Sequence, residues 1–111
     1  MAAASAGLSV RETPPEGFGD SAYAEIAGDI DNDTAVALLD EGKAFLASAN
    51  SRDVIIDFSR VKTAQSVALS LMVRWLDTAA KHDRSLRFKG LSGKLHDLAK
   101  VSGLEEVLPL A

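Results

Sequence analysis

The chain has 111 residues, of which 47% are apolar and 25% charged, with a formal net charge of -4. That balance describes one folded domain with a single core and excludes wholesale disorder. The absence of cysteine excludes disulfides, thiol chemistry and cysteine-ligated metal, and the acidic total with 5% aromatics argues against nucleic-acid binding.

No apolar run approaches the ~20 residues that span a bilayer. The start, MAAASAGLSV, has no basic residue before its apolar part, unlike a secretory signal. A cytosolic location is the default expectation. The charge is uneven along the chain. Nine acidic residues and no Lys or Arg lie between Glu12 and Glu41, whereas Lys81 to Lys100 holds six basic residues against Asp83 and Asp97. Such a split makes either two solvated faces of opposite sign or a surface that steers a charged partner.

In chain order, residues 1–8 are small and featureless and are expected to fray. LSVRET reads as an edge strand, PPEGFGD as a turn, and SAYAEIAGDI as a second strand that completes a hairpin. DNDTAVALLDEGKAFLASAN is the first helix, with Asn32 or Asp33 as its cap. Ala35, Leu38, Leu39, Gly42, Phe45, Leu46 and Ala49 fall on one of its faces. Gly42 in that stripe predicts a close approach to the sheet. DVIIDF reads as a central strand of a parallel or mixed sheet, because both of its faces are apolar apart from Asp57.

A long helix is predicted from about Ser66 to His82. Helical spacing puts Leu69, Met72, Val73, Leu76, Ala79 and Ala80 on its sheet side. It leaves Val67 and Leu71 outward among Arg74, Thr78 and Lys81, with Trp75 at the border. An outward patch of that kind is expected to dock a protein. SLRFKG is the next strand. SGKLHDLAKVSGL is a short last helix, with Ser92 as its cap, Leu95, Leu98 and Ala99 inward, and Gly103 ending it. Pro109 limits any last strand to an edge.

Catalytic and metal signatures are absent. GLSGK is too short for a Walker loop, and His82 and His96 have no partner at ligand spacing. Ala64-Gln65-Ser66-Val67-Ala68 lacks the flanking glycines of a nucleophile elbow, so Ser66 reads more simply as a helix cap. Asp57 has no evident catalytic partner, and a hydrogen-bonding role in the structure is expected for it.

VIIDFSRVKTAQSVALSLM resembles the signature of STAS domains, the fold of anti-sigma-factor antagonists and sulfate-transporter tails. In that pattern an apolar strand ends in Asp, and a short loop leads to Asp-Ser-Ser/Thr-Gly at the start of a long helix. Asp57 matches the strand Asp. Gln65 takes the place of the motif Asp, Ser66 that of the phosphorylatable residue, Val67 the next Ser/Thr, and Ala68 the Gly. EIAGDIDNDT resembles the family's Gly-x-Leu-Asp segment. IDFSRV and LDTAAKHDRSLRFKGLSGKLHDLAKVSGLEEVLPL are similar to the MlaB branch, the small subunit of a phospholipid-transport ABC complex.

The resemblance implies a single α/β domain over 1–111, with a mixed sheet and helices mainly on one face. It implies a cytosolic, non-enzymatic subunit, peripheral to the inner membrane and without a span of its own. Its partner would be an MlaF-like ATPase, in a complex with permease and lipid-binding subunits. No cofactor is implied. The expected partner-binding residues are Thr63, Gln65, Ser66, Val67, Leu71, Arg74 and Trp75. The alternative is an anti-sigma-factor antagonist switched by phosphorylation of Ser66. Gln65 and Ala68 depart from the flanks that a kinase reading Asp-Ser-x-Gly would require.

Overall fold

A computed structural model describes residues 6–111. Its elements are β1 (Gly7–Arg11), β2 (Ala22–Ile30), α1 (Asn32–Ser48), β3 (Asp53–Ala64), α2 (Val67–Lys81), β4 (Ser85–Lys89) and α3 (Gly93–Val101). The sheet order is β1-β2-β3-β4. The β1–β2 pair is an antiparallel hairpin, while β2–β3 and β3–β4 are parallel, each joined through a helix. The mixed sheet and the central place of β3 are as the sequence implies. The expectation of fraying over residues 1–8 falls partly outside the described residues. Gly7 and Leu8 lie inside β1.

Alternation sorts the strands onto two faces. Ala24, Ile26, Val54, Ile56, Phe58, Leu86 and Phe88 join Leu38, Phe45, Leu46, Leu69, Met72, Leu95 and Ala99 in one apolar core, so all three helices contribute to the same cluster. Tyr23, Ile55 and Asp57 are buried on the opposite side, outside that cluster.

The cap of the first helix is Asp31, just before the predicted Asn32 or Asp33. Asp31, in extended conformation, accepts from the amides of Asp33 and Thr34, and its own amide donates to the Thr34 hydroxyl. Gly42 does permit a close approach, but to α2 rather than to the sheet. A Cβ at Gly42 would collide with the indole of Trp75, whose Nε1 donates to the Leu39 carbonyl at 3.3 Å.

The third helix ends as its sequence predicts. Gly103, at φ 74°, lets the Leu104 amide bond back to the Ala99 carbonyl. Beyond Pro109, Leu110 forms one isolated bridge to Phe88 at the sheet edge. The strand DVIIDF is longer than predicted. It runs on through SRVKTA, because β2 is itself long enough to pair with it up to Ile30–Ala64.

Candidate interaction surface at the start of α2

The second helix lies beside α1 as well as over the sheet, and this changes which of its residues face solvent. Ala68, Leu69, Leu71, Met72, Trp75 and Ala79 are buried. The buried arc is turned by about 70° from the one that helical spacing around a sheet contact predicts. Leu71 is 3% exposed and Trp75 is fully buried, which corrects the expectations that Leu71 points outward and that Trp75 sits at the border. Val73, expected inward, is 40% exposed, and Ala80 is exposed too. Packing against one neighbour would leave Leu71 on the surface; packing against two buries it.

The remaining expected residues do gather at one end of the molecule. Thr63, Gln65, Ser66 and Arg74 are exposed, and Val67 is half-buried. Thr63 sits near the end of β3 and donates through its hydroxyl to Asp29 Oδ1 at 2.9 Å. The Gln65 amide donates to the Ile30 carbonyl at 2.9 Å, which stitches the end of β3 to the end of β2.

Ser66 occupies the cap position, yet its hydroxyl makes no capping bond. The reason is its backbone. Asp31 and Ser92 hold extended ψ values of -175° and 158° and do cap their helices, whereas Ser66 is already helical at φ -58° and ψ -22°. A capping oxygen faces the first-turn amides only from the extended conformation. Here the amides of Ala68 and Leu69 bond instead to the carbonyls of Gln65 and Ser66. The Ser66 hydroxyl is thereby left at the surface.

Two grooves flank this ridge. One, of about 590 Å³, is lined by Ser66, Leu69, Ser70, Val73, Arg74, Ser102 and Leu104. The other, of about 330 Å³, lies between α1 and α2, lined by Ala35, Val36, Leu39, Val67, Ser70, Leu71 and Arg74. Ser70 and Arg74 belong to both. Val36 is 69% exposed at the rim of the second. Sequence reasoning missed Ser70, Val36 and Leu104. The arc that exposes Ser70 was legible in the helical spacing, but the α1 and α3 contributions require the tertiary packing.

Asp57 lies elsewhere, on the helix-free face. Tyr23 donates its hydroxyl to Asp57 Oδ2 at 2.5 Å, and the Ser59 amide donates to Oδ1 at 2.8 Å, joined there by the Ser59 hydroxyl. Lys89 Nζ is 3.9 Å from Oδ2. Burial pushes the carboxyl up, but the bonds from Ser59 and Tyr23 and the Lys89 charge outweigh it and hold the group below its usual range. A carboxylate kept ionised by three donors serves as a hydrogen-bond acceptor, as its place in an apolar strand suggests. Among the described residues there is no cluster of His, Cys, Asp and Glu that could hold a metal, and no helix long and apolar enough to cross a membrane.

The family described as "Mlab, STAS domain" matches residues 19–109. The chain belongs to the MlaB STAS-domain family. A chain of the Acinetobacter MlaFEDB complex in its ATP-bound Vtrans2 conformation is similar at 25% identity and a TM-score of 0.71, over 80% of this chain and 93% of that one. An anti-sigma factor antagonist from Mycobacterium paratuberculosis superposes with a TM-score of 0.76 at 22% identity, over 96% of this chain and 85% of its own. The anti-sigma factor antagonist SpoIIAA in its unphosphorylated form gives 0.70 at 11% identity, over 95% and 88%. No curated protein sequence matches the chain. The two antagonists establish the shared fold, and the MlaB family assignment fits the segments IDFSRV and LDTAAK onward.

Proposed function

We propose that this chain is a non-catalytic subunit of an ABC transporter that moves phospholipid between membranes. It binds and supports the ATPase subunit from the cytoplasmic side of the inner membrane, within a complex that also holds permease and lipid-binding subunits. The observation that carries this reading is the family match together with the likeness to nearly the whole length of one chain of the MlaFEDB complex. The docking surface is the exposed end made by Thr63, Gln65, Ser66, Val67 and Arg74, extended by Ser70. Leu71 and Trp75 act from beneath by holding α2 against α1. An exposed ridge between two apolar grooves suits a partner that inserts side chains on either side of Ser70 and Arg74.

Co-purification with the cognate ATPase tests the reading. The complex is expected to form with the wild-type chain and to be lost with Ser66→Arg. A wild-type chain that fails to capture the ATPase contradicts it.

A second reading is favoured by one observation, the unbonded surface hydroxyl of Ser66 at a helix start. A phosphate there would meet the positive end of the helix dipole. In that reading the chain is an anti-sigma-factor antagonist switched by phosphorylation of Ser66. It predicts phosphoserine at this position by mass spectrometry and a serine-kinase partner, and it predicts no association with a transporter ATPase.

A further inference from the structure

The register between β2 and β3 is interrupted twice. Glu25 pairs with Asp57, but the next pair is Ala27 with Arg60, so Phe58 and Ser59 together face the single residue Ile26. The second interruption lies between Gly28 and Asp29, where Gly28 takes φ 100°. A β-bulge of the first kind leaves an amide without its ladder partner and bends the strand that carries it. Here the Ser59 amide is met by Asp57 Oδ1 at 2.8 Å, two residues back on the same strand.

The rest of the surroundings hold that carboxylate in place. Oδ2 receives the Tyr23 hydroxyl from β2 and lies near Lys89 of β4. Gly90, at φ 73°, completes the fit. A Cβ there would lie 2.8 Å from Asp57 Oδ1 and collide with the Ser59 hydroxyl.

The bulge sits where the sheet narrows. Pairing of β3 with β4 ends at Asp57–Lys89, so among the described residues β3 has β2 as its only strand neighbour from Arg60 to Ala64. Past the Gly7–Ala27–Arg60 row the described residues form a two-stranded ribbon, Gly28–Ile30 with Val61–Ala64, that leads directly to Gln65 and Ser66. A two-stranded ribbon twists and bends more freely than a full sheet. Its direction at the base is therefore set by the first bulge.

We propose that Asp57 is a positioning residue whose carboxylate holds the Phe58–Ser59 bulge and thereby aims the ribbon that delivers Thr63–Ser66 to the partner surface. The role of that surface rests on the function proposed above. The bulge needs an acceptor at this position more than it needs a charge, which separates positioning from ion pairing. Asn retains the acceptor, and Leu removes it.

Amide hydrogen exchange on the isolated chain tests the first half. Asp57→Leu should speed exchange from Arg60 to Ser66 about tenfold or more while Val54 and Ile56 stay slow, and Asp57→Asn should keep the wild-type pattern. Uniform acceleration along the chain, or none in the ribbon, overturns the proposal. Should Asp57→Leu not fold, Gly90→Ala poses the same question by driving a methyl group against Ser59 and Asp57.

Titration against the ATPase subunit tests the second half. Asp57→Leu is expected to weaken binding about tenfold under conditions where it is folded, a loss of the size that one misplaced contact causes. Ile55→Ala, on the same face and strand, should destabilise the chain without weakening binding. Equal weakening by Ile55→Ala refutes positioning. If the wild-type chain binds no ATPase subunit while the exchange pattern is as expected, the docking reading fails and the aiming of the ribbon stands.

Discussion

The two faces of the sheet are held together by opposite means. On the helix side an apolar cluster is locked by shape. Trp75 fills the space that the missing Gly42 Cβ leaves, and Phe58 meets both Trp75 and Phe88 ring to ring, at 6.5 and 5.9 Å. On the other side, beside the apolar Ile55, the buried Tyr23 and Asp57 are polar and joined by a directed bond. Phe18, from the turn between β1 and β2, packs 5.9 Å from the Tyr23 ring, and Lys89 lies 5.9 Å from the Phe18 ring. Shape complementarity is indifferent to pH and intolerant of volume. A hydrogen-bonded carboxylate is directional and sensitive to protonation.

The largest expected effect breaks the shape-locked side. Gly42→Ala puts a methyl group into the indole and is expected to cost about 3 kcal/mol in denaturant unfolding, near the top of the range for overpacking. Trp75, the single tryptophan, reports it by fluorescence, and the loss should be the same at pH 5 and pH 8. Next comes Asp57→Leu, which strands the Ser59 amide and the Tyr23 hydroxyl and should cost about 2 kcal/mol.

Acid sharpens the contrast. The folded carboxyl of Asp57 is held below its ordinary 3.8. Its contribution is therefore full above that value and is lost as pH falls through the lower folded one. Asp57→Asn should flatten that part of the acid-unfolding curve, while Gly42→Ala leaves its slope unchanged.

Tyr23→Phe removes one donor and should cost about 1 kcal/mol. Burial, then the Asp57 bond and charge, raise the Tyr23 phenol above 10.0, so its contribution is present below that pH and lost as pH rises beyond it. Tyr23 is the only tyrosine, so tyrosinate absorbance should appear together with alkaline unfolding rather than before it. The smallest effect lies on neither face. Asp83 ends α2 at φ 56°, with the Arg84 amide bonded to the Ala79 carbonyl at 2.8 Å. Asp83→Gly should stabilise by about 0.5 kcal/mol, because glycine takes that conformation without a Cβ clash.

Much of this was legible in the sequence, where the signal was local. The hairpin, the parallel strand with Asp57, the cap at Ser92 and the left-handed Gly103 all follow from neighbours a few residues apart. Trp75 and Leu71 were misplaced because helical spacing shows an apolar arc but not how many elements it must cover. The strand's extension beyond Phe58 has no local signal, because SRVKTA is largely polar and only its pairing with β2 makes it a strand. The candidate surface was legible as far as its own segment reached, from Thr63 to Arg74. Ala35, Val36 and Leu104, which complete the grooves, come from α1 and from the turn after α3, and no local pattern joins them to Ser66.

The account turns on whether the start of α2 is the docking end. The most direct measurement is the affinity of the purified chain for the ATPase subunit proposed as its partner, with the unfolding midpoint recorded for each variant. Ser66→Arg and Ser70→Arg are expected to weaken binding more than tenfold, the loss expected at the centre of an interface, with the midpoint unchanged. Val10→Arg, on the exposed edge strand β1, should bind as the wild type does. Wild-type affinity in Ser66→Arg and Ser70→Arg would contradict the account.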